Sequence, residues 1–427
     1  MTLVLIFFLM VAVGIPIAYA FGISGVLYIA FFTNLNPQLI MSTTFTAVNS
    51  FTLLAMPFFI FAGDIMRLGG VSSRLLNFAK LLFRKSKSAL GTITIVASAF
   101  FGAISGSSNA TVAAIGGIMI PEMHRDGYKL EYAAALASTA GYLGILIPPS
   151  VPLVVYAVSS GQSVGKLFVA TIIPGILAAI IMIVLNMFLV QHNYRPAKHE
   201  EAATENSKSA GRVVLEALPA LLMPVVILGG IYGGIFTATE AAAVAIVYGI
   251  VVSVFVYRDI KLKDILRIAK DSALTSASLL IIISLAGFFG NLLTMARVPA
   301  QISSAILSIS DSKFGIMLMI NLLLLLLGMI MDATTAILIT TPILLPIASA
   351  AGISPIHFGI IMLVNFAIGV ITPPMALNLF VGSKVSGVPI AKMVKPLIPF
   401  LLASLGLLIL VVLCPPLSMW LPSLMKK

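Results

Sequence analysis

The sequence predicts an all-α polytopic membrane protein. Of its 427 residues, 60% are hydrophobic and only 9% are charged, and the mean hydropathy is +1.14. A helix that crosses the hydrocarbon core needs about 20 apolar residues, and stretches of that length recur from the first residue to about residue 413. This composition excludes a water-soluble globular domain.

Nine apolar segments are predicted to span the membrane. The first begins Met1-Thr-Leu-Val, without the basic leader of a cleaved signal, so we expect it to be retained as a helix. The predicted spans lie near residues 1–32, 45–66, 131–160, 166–190, 213–233, 235–257, 272–296, 355–382 and 389–413.

Two further apolar segments are too interrupted to be simple spans. Residues 89–122 hold about 14 apolar residues on each side of a polar centre, and at about 1.5 Å per residue such a half-length does not cross a core of about 30 Å. Residues 314–349 have the same pattern around Asp332. Both are predicted to be re-entrant helical hairpins, whose non-helical tips require protein or water around them.

Five landmarks indicate that the chain contains two structural repeats. Each pair is separated by 225 positions: Pro121 and Pro346, Gly144 and Gly369, Pro148 and Pro373, Pro149 and Pro374, Pro174 and Pro399. We therefore predict a first repeat over 1–191, a cytoplasmic linker over 192–212, and a second repeat over 213–427 with an additional leading helix. Each repeat has one hairpin and one broken helix, the latter at 131–160 and 355–382.

Loop charges predict that the two repeats are inverted. Residues 67–87 carry six basic residues and no acid, which places this segment in the cytoplasm. Counting spans from there, the first hairpin enters from the cytoplasm and the second from outside. The same count puts Lys426 and Lys427 outside, against the rule. The net charge of +11 is thus explained by cytoplasmic loops, with no nucleic acid partner.

The remaining composition excludes several kinds of chemistry. The single cysteine, Cys414, allows no internal disulfide, and four scattered histidines have no metal-ligand spacing. Both hairpin tips lack histidine and cysteine, so an intramembrane enzyme is not expected. A passive channel is also disfavoured, because paired hairpins and broken helices suit occlusion better than an open pore.

The polar tips have the chemistry of a sodium site. The first supplies hydroxyl and amide oxygens, and the Pro-Pro after Gly144 frees backbone carbonyls. Neutral oxygens suit a monovalent cation, and sodium is the natural candidate. In the second repeat Asp332 adds a charge, which predicts a second sodium site. The polar residues concerned are Ser105, Ser107, Ser108, Asn109 and Thr111, and Asp332, Thr334, Thr335, Thr372 and Asn378.

Helix N-termini beyond these breaks favour anions, which predicts an organic carboxylate as cargo. Structural roles remain open for the same residues. Small and hydroxyl residues also line membrane helix contacts, and Asp332 could simply cap a helix. Glu240 could begin a helix, and Asp64 and Arg67 are interpreted as an interface pair, not as ligands.

Several motifs resemble the large membrane subunit of tripartite ATP-independent periplasmic (TRAP) transporters, within the wider ion-transporter superfamily. They are Gly-Ala-Ile-Ser-Gly-Ser-Ser at 102–108, Gly-Tyr-Leu-Gly-Ile-Leu-Ile-Pro-Pro-Ser at 141–150, Thr-Ala-Thr-Glu-Ala at 237–241 and Gly-Val-Ile-Thr-Pro-Pro at 369–374. The resemblance covers essentially the whole chain. It implies a scaffold with a moving transport domain, an elevator-type motion, and sodium-driven uptake in the bacterial inner membrane.

The resemblance also implies which residues bind. The first sodium site would use Ser105, Ser108, Asn109, Gly144 and Ile147, and the second Gly328, Asp332, Thr335, Gly369 and Thr372. The substrate, between the tips, would contact Ser107, Thr111, Pro148, Pro149, Thr334, Pro373 and Asn378. Related superfamily members often carry Ser-Asn-Thr at each tip, whereas the second tip here lacks the asparagine.

Two partners are implied: a small four-helix membrane subunit and a soluble periplasmic substrate-binding protein. No small-subunit sequence precedes Met1, so a separate partner chain is expected. Family substrates include C4-dicarboxylates, keto acids and sialic acid, and overall likeness alone favours sialic acid. The alternative is a stand-alone sodium-coupled carboxylate carrier that works without a binding protein.

Overall fold

The computed structural model describes residues 2–83, 88–193, 209–302 and 312–425, and these form helices joined by short turns. A 3-10 turn, Phe51–Leu54, precedes the fourth helix. The helices are α1 (Thr2–Ala12), α2 (Ile17–Phe32), α3 (Gln38–Val48), α4 (Ala55–Leu68), α5 (Val71–Phe83), α6 (Ala89–Ser105), α7 (Ser108–Thr111), α8 (Gly117–Asp126), α9 (Leu130–Ala140), α10 (Leu143–Leu146), α11 (Val151–Ser160), α12 (Val164–Asn193), α13 (Ala210–Tyr232), α14 (Ala238–Ile250), α15 (Leu262–Met295), α16 (Lys313–Gly328), α17 (Ala333–Ala350), α18 (Pro355–Gly369), α19 (Leu377–Ser386), α20 (Ile390–Leu413) and α21 (Pro416–Leu424).

The prediction of a multi-pass membrane protein is confirmed. Within the described ranges, seven helices are long and apolar enough to cross a bilayer, or eight if a pair bent by 41°, Leu130–Leu146 and Val151–Ser160, forms one span. The seven are Phe51–Leu68, Val164–Val190, Ala210–Tyr232, Ala238–Val256, Leu262–Met295, Ala333–Ala350 and Ile390–Leu413.

The predicted single helix over 1–32 is wrong. The structure has two shorter helices, α1 and α2, which pack against each other. The backbone turns where Gly14 adopts a φ of +88°, and Pro16 stands directly before α2. Glycine tolerates this left-handed conformation, and proline cannot continue a helix from the residues before it.

Other predicted boundaries need smaller corrections. The span at 45–66 is instead α3 followed by the 3-10 turn and α4, and the span at 272–296 begins ten residues earlier, at Leu262. The basic segment 67–87 contains the helix α5. Most of the linker at 192–212 lies outside the described residues, and α13 already begins at Ala210.

Both segments predicted to be hairpins are pairs of helices with a polar turn between them. In the first, α6 ends at Gly106, whose φ is +61°, and Ser107 caps α7 by accepting a bond from the Ala110 N–H. A π-helical turn, Val112–Gly116, then joins α7 to α8. In the second, α16 ends at Gly328 and Asp332 caps α17.

Each tip is tied to the break in the helix that follows it. The Val151 N–H donates to the Gly106 carbonyl at 3.4 Å, and the Met375 N–H donates to the Met329 carbonyl at 3.2 Å. The first break separates α10 from α11 and the second separates α18 from α19. These bonds hold the non-helical backbone of each break against a tip, where its polar groups have protein partners.

The helices that carry the tips pack beside a second group. Helix α4 packs against α14, α15 and α6. Helix α15 also packs against α17, and α11 lies between α4 and α17. Helices α4 and α15 therefore pack directly against the helices that carry the two tips.

Candidate functional site

A cavity of about 340 Å³ lies between the two hairpin tips. The first tip contributes residues 105–110 and the second residues 332–334. Opposite them, α4 and α15 form the other wall. The wall is completed by Ile60, Gly63, Asp64, Arg67, Ile145, Val151, Pro152, Thr275, Leu279, Val370 and Leu377. Two polar segments more than 200 positions apart in sequence thus meet at one site.

Three oxygens of the first tip form a compact cluster. Thr111 Oγ1 donates to the Ser107 carbonyl at 2.8 Å, and Ser105 Oγ lies 3.3 Å from Thr111 Oγ1 and 3.4 Å from the Ser107 carbonyl. Gly144 faces them: a Cβ at this position would stand 2.5 Å from the Ser107 carbonyl oxygen. Because the oxygens are neutral and closely spaced, this set fits a monovalent cation.

Ser108 and Asn378 form a buried link and not a free ligand pair. Ser108 Oγ donates to Asn378 Oδ1 at 2.9 Å, and Asn378 Nδ2 donates to the Ser138 carbonyl at 3.0 Å. Asn378 is fully buried and is not part of the cavity wall, whereas Ser108 is. The link connects the first tip to α19 and α9, so it joins parts of both predicted repeats.

The other predicted residues of the first repeat divide into two groups. Asn109 is exposed and lines the cavity. Ile147 lies against α12, 3.1 Å from a Cβ built on Gly175, and the Pro149 carbonyl oxygen lies 2.8 Å from a Cβ built on Gly106. Ile147, Pro148 and Pro149 therefore shape the break behind the tip without forming the cavity wall.

In the second tip, Asp332 is bound to its own helix. Its Oδ2 accepts the Thr335 N–H at 3.0 Å, and its Oδ1 accepts the Thr335 hydroxyl at 2.6 Å. Asp332 and the buried Thr334 line the cavity. A carboxylate accepts up to about four bonds, so the cap leaves capacity for a cation.

Behind this tip the two helices touch through glycines. A Cβ on Gly369 would lie 2.5 Å from the Gly328 carbonyl carbon. Thr372 Oγ1 donates to the Ile368 carbonyl at 2.6 Å, and neither Thr372 nor Pro373 forms the cavity wall. The structure thus brings Gly328 and Gly369 together, at the start of the non-helical turn that leads to Asp332.

Four helices begin at the cavity. Their first residues, Ser108, Val151, Ala333 and Leu377, are all part of its lining. At each of these ends one N–H of the first turn is already bonded: Ala110 to Ser107 Oγ, Val151 to the Gly106 carbonyl, Thr335 to Asp332 Oδ2 and Asn378 to the Val370 carbonyl. The first N–H groups of a helix have no partner within the helix and carry a partial positive charge. The cavity therefore combines the oxygens of the first tip and the carboxylates of Asp64 and Asp332 with four helix N-termini, and it is these helix ends that favour an anion.

Sequence reasoning missed the wall opposite the tips. Ile60, Gly63, Asp64 and Arg67 lie on one face of α4 and line the cavity. Their spacing of three, one and three residues is that of a single helical face. This spacing indicates a shared helix face in the sequence. It does not show that the face lines a cavity, because that depends on α4 lying opposite the hairpin tips.

Glu240, in contrast, has the structural role. Its carboxylate accepts the Thr237 N–H at 2.8 Å and the Thr237 hydroxyl at 2.9 Å, and the Thr237 hydroxyl accepts the Glu240 N–H at 3.3 Å. This reciprocal arrangement is a capping box. It starts α14 and does not line the cavity.

Comparison with known proteins gives several relatives. An isethionate TRAP transporter permease protein, DctMQ, from Oleidesulfovibrio alaskensis is 41% identical over 414 residues, 97% of this chain and 65% of that protein. The C4-dicarboxylate large permease DctM of Pseudomonas aeruginosa is 42% identical over 94% of this chain and 93% of its own. The sialic acid large permease SiaM of Vibrio cholerae is 36% identical over 88% of this chain and 87% of its own.

A solved structure shares the fold. The crystal structure of the YdaH transporter of Alcanivorax borkumensis superposes with a TM-score of 0.65 and 16% identity, over 90% of this chain and 89% of that one. Residues 4–417 match the family described as "Tripartite ATP-independent periplasmic transporter, DctM component". The chain is therefore a member of this family, the large membrane permeases of TRAP transporters.

Proposed function

We propose that this chain carries an organic anion into the cell together with sodium, at the cavity between the two hairpin tips. One observation carries the proposal: a single cavity is lined by Ser105 and Ser107 of the first tip, by Asp332 of the second, and by the first residues of four helices. Sites for a cation and for an anion are thus contiguous, as coupled transport requires.

Sodium is the proposed coupling ion. Ser105, Ser107 and Thr111 would hold it in the first repeat beside Gly144, and Asp332 with Thr335 would hold it in the second. When bound, the cation supplies positive charge that favours an anion nearby. The residues of the two tips would orient the oxygens and keep the tips closed around the site.

The cargo is proposed to be an organic anion with at least one carboxylate or similar acidic group. The relatives are named for isethionate, C4-dicarboxylates and sialic acid, and all of these are anionic. Sialic acid stays the preference from the sequence, and the helix N-termini at the cavity support anions as a class.

An elevator motion is the proposed mechanism. The two tips and their broken helices would move as one body past the wall formed by α4 and α15. Helix ends support the two-repeat arrangement over 1–191 and 213–427: α9 and α18 begin 225 positions apart, and α12 and α20 begin 226 positions apart.

The proposed assembly has three components. The family implies a small membrane subunit, proposed here to have four helices, and a periplasmic substrate-binding protein that delivers the anion. In this proposal the chain lies in the bacterial inner membrane, with lipid against its exposed apolar helices.

Uptake into proteoliposomes tests the proposal. The chain is reconstituted with its small subunit, and uptake of labelled sialic acid, succinate and isethionate is measured with and without the binding protein and a sodium gradient. We expect one of these anions to enter only when both are present. Uptake that needs sodium but no binding protein would establish the stand-alone carrier instead, and uptake independent of sodium would remove the coupling ion.

A further inference from the structure

The wall opposite the tips carries a positively charged side chain, Arg67. The proposed sodium sites and the helix N-termini give it no role. Arg67 stands in the last turn of α4 and lines the cavity. Among the described residues of the lining, it is the only one with a cationic side chain. Its side chain is 38% exposed, which leaves it accessible from the cavity.

Most N–H donors of the Arg67 guanidinium make no hydrogen bond to the described part of the chain. Arginine has five N–H donors, and within the described part of the chain Arg67 donates one side-chain hydrogen bond, from Nη2 to Asp64 Oδ1 at 3.4 Å. That distance is beyond the usual range for a charge-assisted bond. A carboxylate that approached in the plane of the guanidinium would form two shorter bonds.

Asp64 is held in place from the other side. Ser272 Oγ on α15 donates to Asp64 Oδ2 at 2.7 Å. This bond holds the carboxylate at the edge of the cavity, where its Oδ1 accepts the bond from Arg67. The second acid of the lining, Asp332, already accepts two bonds from Thr335.

We propose that Arg67 binds the anionic group of the cargo, and that Asp64 is a positioning residue that competes with the cargo for the same guanidinium. The inference rests on the proposed function, since it takes an organic anion as the cargo. Arginine is suited to this role because its planar donors match a carboxylate bidentately. The cargo would then bridge the wall of α4 and the helix N-termini of the tips.

If the Arg67–Asp64 ion pair were purely structural, the expected effect of Asp64→Asn would be different. If Arg67 and Asp64 only stabilised each other, removal of either partner would weaken the fold in the same direction. If Asp64 competes with the cargo, Asp64→Asn frees the guanidinium and tightens anion binding, whereas Arg67→Gln loosens it. The two substitutions therefore have effects of opposite sign on anion affinity.

The test is an anion titration of the purified full-length chain with its small subunit. Thermal unfolding is followed in sodium succinate, sodium isethionate or sodium sialate, against sodium chloride at equal sodium concentration and ionic strength. The variants are Arg67→Gln, Arg67→Lys and Asp64→Asn. Arg125→Gln is the matched control, because Arg125 is exposed and does not line the cavity.

For the anion that stabilises the wild type, Arg67→Gln should raise the half-maximal concentration roughly 10- to 100-fold, the loss typical of a charge-assisted pair. Arg67→Lys should raise it less, Asp64→Asn should lower it, and Arg125→Gln should leave it unchanged. Equal half-maximal concentrations in the wild type and Arg67→Gln would overturn the role of Arg67 alone.

Two further outcomes are decisive. If Arg67→Gln does not yield folded protein, Asp64→Asn decides: an unchanged or raised half-maximal concentration overturns the inference. If none of the three anions stabilises the wild type while sodium does, the proposed anionic cargo itself fails. The failure of the function and the failure of the Arg67 assignment are therefore distinguishable.

Discussion

The carboxylate of Asp332 can act as a helix cap and as a cation ligand at the same time. The cap is direct, since both oxygens accept bonds from Thr335. The cation role is the one proposed above, and it rests on the position of Asp332 on the cavity wall. The two roles use different properties of the side chain: the cap needs an acceptor oxygen, whereas the cation needs the negative charge.

Asp332→Asn separates these two roles. Asparagine caps a helix about as well as aspartate, so we expect the free energy of unfolding to change by less than about 0.5 kcal/mol. The sodium concentration for half-maximal uptake should rise at least about tenfold, because the loss of a charged hydrogen-bonding group costs roughly 1.5–3 kcal/mol. Chemical denaturation and sodium-dependent uptake measure the two effects. Asp332→Ala, which removes both the cap and the charge, should lower the free energy of unfolding and also raise the half-maximal sodium concentration. Unchanged sodium dependence in Asp332→Asn would leave the cap as the only role.

The substitution Gly144→Ala tests whether the oxygen cluster of the first tip binds sodium. An alanine methyl group would collide with Thr111 Oγ1 and stand 2.5 Å from the Ser107 carbonyl oxygen. Overpacking of this kind costs roughly 1–3 kcal/mol, which corresponds to about 5- to 150-fold in sodium affinity if it acts on the bound state. We expect Gly144→Ala to lose sodium stabilisation in thermal unfolding. Gly117→Ala, with no atom within 4 Å of the added Cβ, should retain it; full sodium stabilisation of Gly144→Ala would contradict the site.

At the scale of elements, close glycine contacts set how the second tip meets its broken helix. The end of α16 and the end of α18 approach so closely that a Cβ on Gly369 would lie 2.5 Å from Gly328 C and 2.6 Å from its Cα. These neighbours are backbone atoms, which cannot rotate away. Small residues at such crossings are a general feature of membrane helix packing.

Gly369→Ala should therefore separate α16 from α18. We expect a loss of stability of roughly 1–3 kcal/mol, the range for overpacking, and a fall in uptake, because the tip that carries Asp332 is displaced. Denaturation midpoints and transport rates measure both. Gly406→Ala on α20, where no atom lies within 4 Å of the added Cβ, is the matched control. Wild-type stability in Gly369→Ala would show that the helices can separate without cost.

The sequence predicted helices well where apolar length alone decides, and less well where turns decide. The helix–turn–helix segments begin and end within a few residues of the two predicted hairpins, because a polar tip between two apolar arms is a strong local signal. Their re-entrant course stays a prediction, and one arm, Ala333–Ala350, is long enough to cross a bilayer. Hydropathy predicts a single helix for the N-terminal segment because it does not detect the turn at Gly14 and Pro16. The role of Arg67 could not be predicted, because its place on the cavity depends on how α4 packs against distant tips.

At the scale of the whole molecule, the helix ends that follow each tip recur at a nearly constant offset. Helix α8 ends at Asp126 and α17 at Ala350, α9 begins at Leu130, and α18 begins at Pro355. Gly127 and Gly352, 225 positions apart, both adopt positive φ just after these ends. Loop charges predict that the two hairpins enter from opposite sides of the membrane, since the basic segment 67–87 precedes the first hairpin.

Accessibility of single cysteines tests this inversion. In a Cys414→Ser background, Arg125→Cys and Ala350→Cys place a thiol at equivalent, exposed positions of the two repeats. We expect a membrane-impermeant maleimide to label Ala350→Cys from the periplasmic side only and Arg125→Cys from the cytoplasmic side only, in spheroplasts and inverted vesicles. Both should react in detergent, which controls for burial. Labelling of both positions from one side would show that the repeats are parallel, and the two tips could then not enter from opposite sides toward a shared cavity.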